Sequence, residues 1–236
     1  MDLADVREQF VKLSGRYDLS SADFQTDSGA DFYIQSGQRW LDRRFYTRKT
    51  MGRLFDSVAA DAWYLEFQSC RAIKAVWIND DEERWQLRRY DYDIIRRNYS
   101  GLRSATDSEA PKYYTPIWIR TTEATDIDDQ GAFFNRIKTT DDGSYNAILF
   151  MPPTDGAYTI EVIGHFDSNA LSINADTSFW SVTAPETLLK AALYQLEVFY
   201  RNTEGAKDWK NAILEEGYDI EKDIIEQESS DEYIRE

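Results

Sequence analysis

An α+β protein is what this sequence predicts, with N- and C-terminal helical segments forming one bundle and an antiparallel β domain inserted between them. Three observations carry that expectation. The apolar period is helical at the start of the chain, changes to two near Asp56, and becomes helical again at Thr183. These changes divide the chain into a helical bundle made of residues 1–55 and 183–225, a β-rich domain over 56–182, and an acidic tail over 226–236.

Leu3, Val6, Phe10 and Leu13 lie at helical spacing and predict a first helix of three to four turns, ended near Gly15. The stretch Asp31 to Phe45 is the strongest helical signal. Ala30, Ile34, Gly37, Leu41 and Phe45 form one apolar stripe, and Tyr33 and Trp40 widen it. Phe32 falls on the opposite side with Arg39 and Arg43, which puts an aromatic ring on the outward face beside guanidinium groups. Arg44, Arg48, Lys49 and Arg53 extend the cationic run past Gly52, with Asp42 as the single acidic residue among them. Cations at a helix C-terminus complement its dipole, and they also suit an acidic partner surface.

From Asp56 onward the residues alternate. Trp63, Leu65 and Phe67 predict one strand and Ala72 to Ile78 a second, with a polar turn at Asn79 to Glu83 and a return through Trp85 and Leu87. Tyr90 to Tyr99 predicts a short helix with Asp91 at its N-cap. Further strands are expected at Tyr113 to Arg120, Ala132 to Lys138 and Tyr145 to Met151. Pro152-Pro153 and Asp155-Gly156 then turn the chain into a last strand ending near Phe166. Thr183-Ala-Pro-Glu186 has the form of a capping box with an early proline. It opens a helix in which Leu188, Leu189, Ala192, Leu193, Leu196, Phe199 and Tyr200 cover a broad arc, with Ala191, Tyr194 and Val198 as a second stripe. Ala206, Trp209, Ile213, Ile220 and Ile224 predict the final helix.

The chain has 236 residues, 42% of them hydrophobic and 14% aromatic, which is enough to bury a substantial core. One cysteine, Cys70, cannot form an intrachain disulfide. No leader or membrane-length apolar run is evident, so a soluble protein assembled in the cytoplasm is expected. The net charge of −16 is carried by residues 121–236, because residues 1–120 hold 19 acidic and 19 basic side chains. That sign opposes binding of nucleic acid by the C-terminal half, yet it suits a wall that DNA slides past.

No catalytic, cofactor-binding or metal site is expected. Asp126, Asp128 and Gly131 have the spacing of a calcium loop's start, but Gln130 and Ile137 stand where ligands are required. His165 is the only histidine, and a triad or a histidine-based zinc site would rest on it alone. The paired carboxylates Asp141-Asp142 and Glu215-Glu216 sit in turn and helix-surface contexts where solvation suffices.

The order of ADFYIQSGQRWLDRR, SCRAIKAVW, MPPTDGAYTIEVIGHF and TAPETLLKAALYQLEVF, followed by a Trp-containing helix, resembles the head-to-tail adaptor (connector) proteins of short-tailed bacteriophages and their relatives. The likeness spans roughly residues 29 to 214; the segment 121–131, TTEATDIDDQG, is longer than a simple hairpin needs. It implies a virion structural protein and not an enzyme, forming a ring, commonly a dodecamer, between portal and tail proteins, with genomic DNA passing through unread. On that reading Phe32, Arg39, Arg43, Tyr194 and Val198 are expected at contacts between copies. Ile224, Ile225, Tyr233 and Ile234, set among the charges of the C-terminal segment, are expected to dock on the portal. A glycan-recognising β module or glycan-active enzyme is the alternative, because aromatic-rich sheets can stack on sugars.

Overall fold

The computed structural model describes residues 1–20, 29–45, 50–80, 82–99, 107–117 and 145–231. It is an α+β protein with helical N- and C-terminal segments flanking a sheet region. The chain divides into two compact units, one made of Met1–Thr50 with Ser168–Glu236 and the other of Met51–Asp167.

The helical unit begins with α1, Leu3–Ser14, opened by a capping box between Asp2 and Asp5 and closed by Gly15 at φ 66°. A 3-10 turn at Tyr17–Ser20 follows, then α2, Ala30–Arg44. After the sheet unit come α4, Phe179–Thr183, α5, Pro185–Phe199, and α6, Thr203–Asp231. The α2 stripe is buried as its spacing requires: Ala30, Tyr33, Ile34, Gly37 and Leu41 join Leu188, Ala192 and Leu196 of α5 and Ile213 of α6 in one core. Helix α2 can reach α5 only because residue 37 is glycine. A Cβ there would lie 2.7 Å from the Ala192 backbone nitrogen. Gly217 plays the same part on α6, where a Cβ would lie 1.9 Å from the Phe45 ring.

Residues 168–178 are bound into this unit by polar contacts that no periodicity announces. Gln38, buried on α2, donates to the Asn169 carbonyl at 2.9 Å. Asp42 accepts from the Ser168 hydroxyl and the Trp180 indole N–H, both at 2.7 Å. The Leu3 N–H donates to the Asp176 carbonyl at 2.9 Å, and Arg7 holds Asp31 through two nitrogens at 2.6 and 2.8 Å. The second helical segment therefore starts its association at Ser168 and not at 183.

In the sheet unit, β1 is Met51–Val58, β2 Tyr64–Asn79, β3 Arg84–Gln86, β4 Arg88–Arg89, β5 Tyr113–Ile117, β6 Tyr145–Met151 and β7 Tyr158–Phe166. The described strands form one sheet in the order β1-β7-β2-β6-β5-β4, with β3 beside β2. Helix α3, Tyr92–Asn98, follows β4, and Asp91 caps it by accepting from the Asp93 N–H at 2.9 Å. Ile73, Val76, Ile78, Ile148, Phe150, Ile160 and Val162 form the main core of the unit.

Four expectations need correction. Residues 51–55 belong to β1, paired along its whole length with β7, so Arg53 lies on a strand and does not extend a helical cationic run. Burial alternates along its first half, with Met51, Arg53 and Phe55 exposed and Gly52 and Leu54 half-buried. The two strands expected between Trp63 and Ile78 are one, β2, which pairs with β6 in its first half and with β7 in its second. Its register shifts between Glu66 and Cys70 against β6, and between Cys70 and Ala72 and between Ile73 and Ala75 against β7. Thr183 does not cap α5, because it ends α4. The capping box lies one turn earlier, with Ser178 Oγ accepting from the Ser181 N–H and Ser181 Oγ accepting from the Ser178 N–H. Finally, α6 is helical through Asp231, so a separate tail from 226 is not set off by a break in structure. The strand expected at Ala132 to Lys138, the turn at Asp141-Asp142-Gly143 and the segment 121–131 lie outside the described residues.

Candidate interaction surface

The residue that organises the helical unit's surface is Tyr33, itself only 3% exposed on the core side of α2. Its ring stacks on Phe10 at 6.1 Å and meets Phe32 edge-on at 5.3 Å and Phe199 edge-on at 5.9 Å. Phe199 in turn meets Tyr200 at 5.6 Å, and the Arg16 guanidinium lies 4.8 Å over the Tyr200 ring. The outer members are exposed: Phe32 by 43%, Phe199 by 63% and Tyr200 by 48%. The start of α2, the end of α5 and the connection after α1 thus supply one continuous aromatic ledge whose inner end is the protein core.

Local structure explains why these rings face outward. Phe32 is one residue before Tyr33, about 100° around the helix, so burial of Tyr33 turns Phe32 to the rim. Phe199 closes α5, and the chain turns sharply at Arg201, φ 60°, which leaves Phe199 and Tyr200 past the end of the packed arc. Arg16 is fixed by Asp18 through two nitrogens at 2.8 and 2.6 Å. Hydrogen bonds to Asp18 and Tyr200 raise the Arg16 pKa, and the same bond holds Asp18 below its usual range, so both stay charged at neutral pH. Burial pushes the Tyr33 hydroxyl up.

The expected contact residues fall as follows. Phe32, Arg39 and Arg43 lie along one exposed stripe of α2, at spacings of seven and four residues. The Phe32 ring meets Tyr33, and Arg39 and Arg43 stand farther along the same face. Val198 is exposed, whereas Tyr194 is half-buried and packs on Trp40 at 5.3 Å, making it a core flank. Ile224 and Ile225 lie within α6; Tyr233 and Ile234 lie outside the described residues. Phe199 and Tyr200 were expected in the buried arc of α5 and belong to the ledge. A helical wheel does not register where the helix runs out of partners; the signal for that was the Arg-Asn pair just beyond them.

Among the described residues no group of three His, Cys, Asp or Glu side chains converges as a metal site would require. His165 is a buried β7 residue. Glu216 is occupied by the Thr187 hydroxyl at 2.8 Å and by Lys190, while Glu215 is exposed. Asp126, Asp128, Gln130, Gly131 and Ile137 lie outside the described residues. Cys70 is buried, and desolvation pushes its thiol up to about 12, far from the thiolate form that chemistry would need. Among the described residues no helix is long and apolar enough to cross a membrane. No protein-family model matches the chain, and no curated protein is significantly similar to it.

Proposed function

We propose that this protein is a virion structural adaptor, forming a ring between the portal and the tail of a bacteriophage and lining the channel through which DNA passes. The observation that carries this reading is the aromatic ledge of Phe32, Phe199 and Tyr200, joined by Tyr33 to the core of a helical bundle. Contiguous exposed rings on rigid elements suit burial against another protein surface. Arg39 and Arg43, exposed farther along the Phe32 face of α2, suit an acidic neighbour, and the −16 net charge means that a second copy offers one. The ring, its copy number of about a dozen and the identity of portal and tail proteins as partners come from the sequence resemblance. In this reading Ile224 and Ile225, which lie within α6, dock on the portal together with Tyr233 and Ile234, the protein resides in the virion, and it needs no cofactor.

The glycan alternative is less well supported, because several of the sheet unit's large rings are already engaged. Trp63 is buried, Trp85 donates its indole N–H to the Pro111 carbonyl at 2.8 Å, and Tyr90 and Tyr113 stack on each other at 4.4 Å. The deciding experiment is mass measurement of the protein with and without purified portal, for the wild type and Phe32→Asp. The variant should fold normally and lose ring formation, while a screen of soluble glycans binds nothing. Unchanged assembly of Phe32→Asp would remove the ledge from the interface.

A further inference from the structure

The sheet treats its two ends differently. At the β4 end, the edge is two residues long and α3 packs against β5. At the other end β1 runs for eight residues, and among the described residues it pairs only with β7. Long open edges present unpaired N–H and C=O groups to other chains, and proteins usually blunt them. Here one device is present: Asp56 Oδ1 accepts the Ser57 N–H at 2.8 Å. Because alternate residues of an edge strand point their backbone groups outward, Arg53 and Phe55 face the same way as Ser57, and among the described residues no strand pairs with them on that side.

The side chains on this strand are also two-faced. Leu54 and Val58 point toward the core, whereas Met51, Arg53 and Phe55 are exposed on the opposite face. On that second face Glu161 of β7, 2% exposed, lies between two arginines. Arg84 bonds Oε2, and Arg53 Nε stands 2.8 Å from Oε1 as an ion pair. The guanidinium of Arg84 lies 4.7 Å over Trp77 and that of Arg53 5.6 Å over Phe55. A single buried carboxylate needs one counter-charge, and it has two. Both arginines are more than half exposed, so this face carries a net positive charge whose inner side is already fixed.

We propose that β1 is a docking edge that takes an extended acidic peptide segment of a partner protein as an added strand. Its backbone pairs with Arg53 and Phe55, its carboxylates line up on the Arg53 side, and its aliphatic side chains continue the Leu54 face. Arg53 and Arg84 share the single charge of Glu161, so the more exposed Arg53 brings the surplus positive charge that meets the incoming carboxylate. The inference is independent of the aromatic ledge and of ring assembly.

The test uses the full chain and a fluorescein-labelled eight-residue peptide alternating glutamate with valine, followed by anisotropy. Saturable binding is expected, about tenfold weaker when glutamine replaces glutamate and weakened at least as much when alternate amides on the pairing edge are N-methylated. Arg53→Gln, with its fold checked by circular dichroism, should match the effect of the glutamine peptide. Equal binding of the N-methylated peptide would show that no strand is added, and equal binding of a lysine-valine peptide would remove charge from the recognition. Either result overturns the proposal, as does failure of every peptide to bind. Self-association through β1 that the acidic peptide does not compete away would assign the edge to a second copy instead.

Discussion

In the helical unit, the surface suited to contact is built from side chains: Phe32, Phe199 and Tyr200 stand at helix ends, backed by a core that Tyr33 enters. In the sheet unit it is built from backbone, along the side of β1 that no other strand among the described residues pairs with, and Arg53 and Phe55 are its side-chain complement. The difference follows from where each kind of element satisfies its hydrogen bonds. A helix closes them internally and can recognise a partner only through what projects from it, whereas an edge strand leaves half of them for a neighbour. The two units also differ in how they are held. Close helix approach at Gly37 and the seat of the Phe45 ring on Gly217 fix the first, and a buried charge with two counter-charges is embedded in the second.

The largest expected effect separates the units by stability. Gly37→Ala forces a methyl group against the backbone of Ala191 and Ala192, at 2.8 and 2.7 Å, and neither can move without shifting α5. Alanine's better helix propensity returns about 1 kcal/mol, and overpacking against backbone costs more, so a net loss of about 2 to 3 kcal/mol is expected. Denaturant titration should show the helical signal at 222 nm moving to lower denaturant. A stabilised variant would mean that α2 and α5 are not in this register.

Next comes the Arg53→Ala, Arg84→Ala double variant, which leaves Glu161 buried without a counter-charge and should cost about 2 to 3 kcal/mol. Glu161→Gln removes the charge instead and frees both exposed arginines to rehydrate, so its cost should be smaller. Equal costs in the same denaturation assay would show that the carboxylate is solvated through the sheet. The order of these two costs is the informative quantity.

Much of this fold was legible because periodicity reports burial directly. The α2 stripe, the return to helix after the sheet, the Asp91 cap and the Gly15 stop all follow from local spacing. What periodicity misses is partner exchange and helix exit. Nothing local says that β2 changes partner across Cys70, or that Gln38 and Asp42 will bind the chain at Ser168 and Asn169, 126 to 131 residues away. The candidate surfaces divide the same way. Phe32 was readable as an outward ring, but Phe199 and Tyr200 were assigned to the core, and Arg53 was read as part of a helical cationic run because its strand partner lies 110 residues downstream at Ile163.

Alkaline titration tests the sheet unit in a second way. Burial pushes the Cys70 thiol up to about 12, and a hydrogen bond to Asp155 with burial pushes the Tyr158 hydroxyl up to about 12. Both groups hold their protons more tightly folded than unfolded. Their contribution is therefore complete below the unfolded values of about 8.5 and 10, and it falls as pH rises from there toward 12. Raising the pH from 8 to 10 should remove about 2 kcal/mol through Cys70, less whatever the unfolded chain retains of its environment. The Cys70→Ala, Tyr158→Phe variant should show a shallower loss over that interval, and an unchanged slope would mean that other groups control it.

The smallest effect on folding belongs to the ledge, and it is the one that distinguishes a surface made for contact from one that is merely aromatic. Phe199 is 63% exposed and loses its edge contacts with Tyr33 and Tyr200 on replacement by serine, so Phe199→Ser should change stability by no more than about 0.5 to 1 kcal/mol. Tyr33→Ala, one contact further in, opens the core and should cost several times more, about 3 kcal/mol. If the ledge joins copies, the assembly measured by sedimentation with purified portal should weaken in Phe199→Ser despite its intact fold, and should do so in parallel with Phe32→Asp. A Phe199→Ser protein that assembles as the wild type does would confine the contact to the Phe32, Arg39 and Arg43 stripe. If Phe32→Asp were silent as well, the exposed rings would have no role in assembly, and the ring reading would lose the observation that carries it.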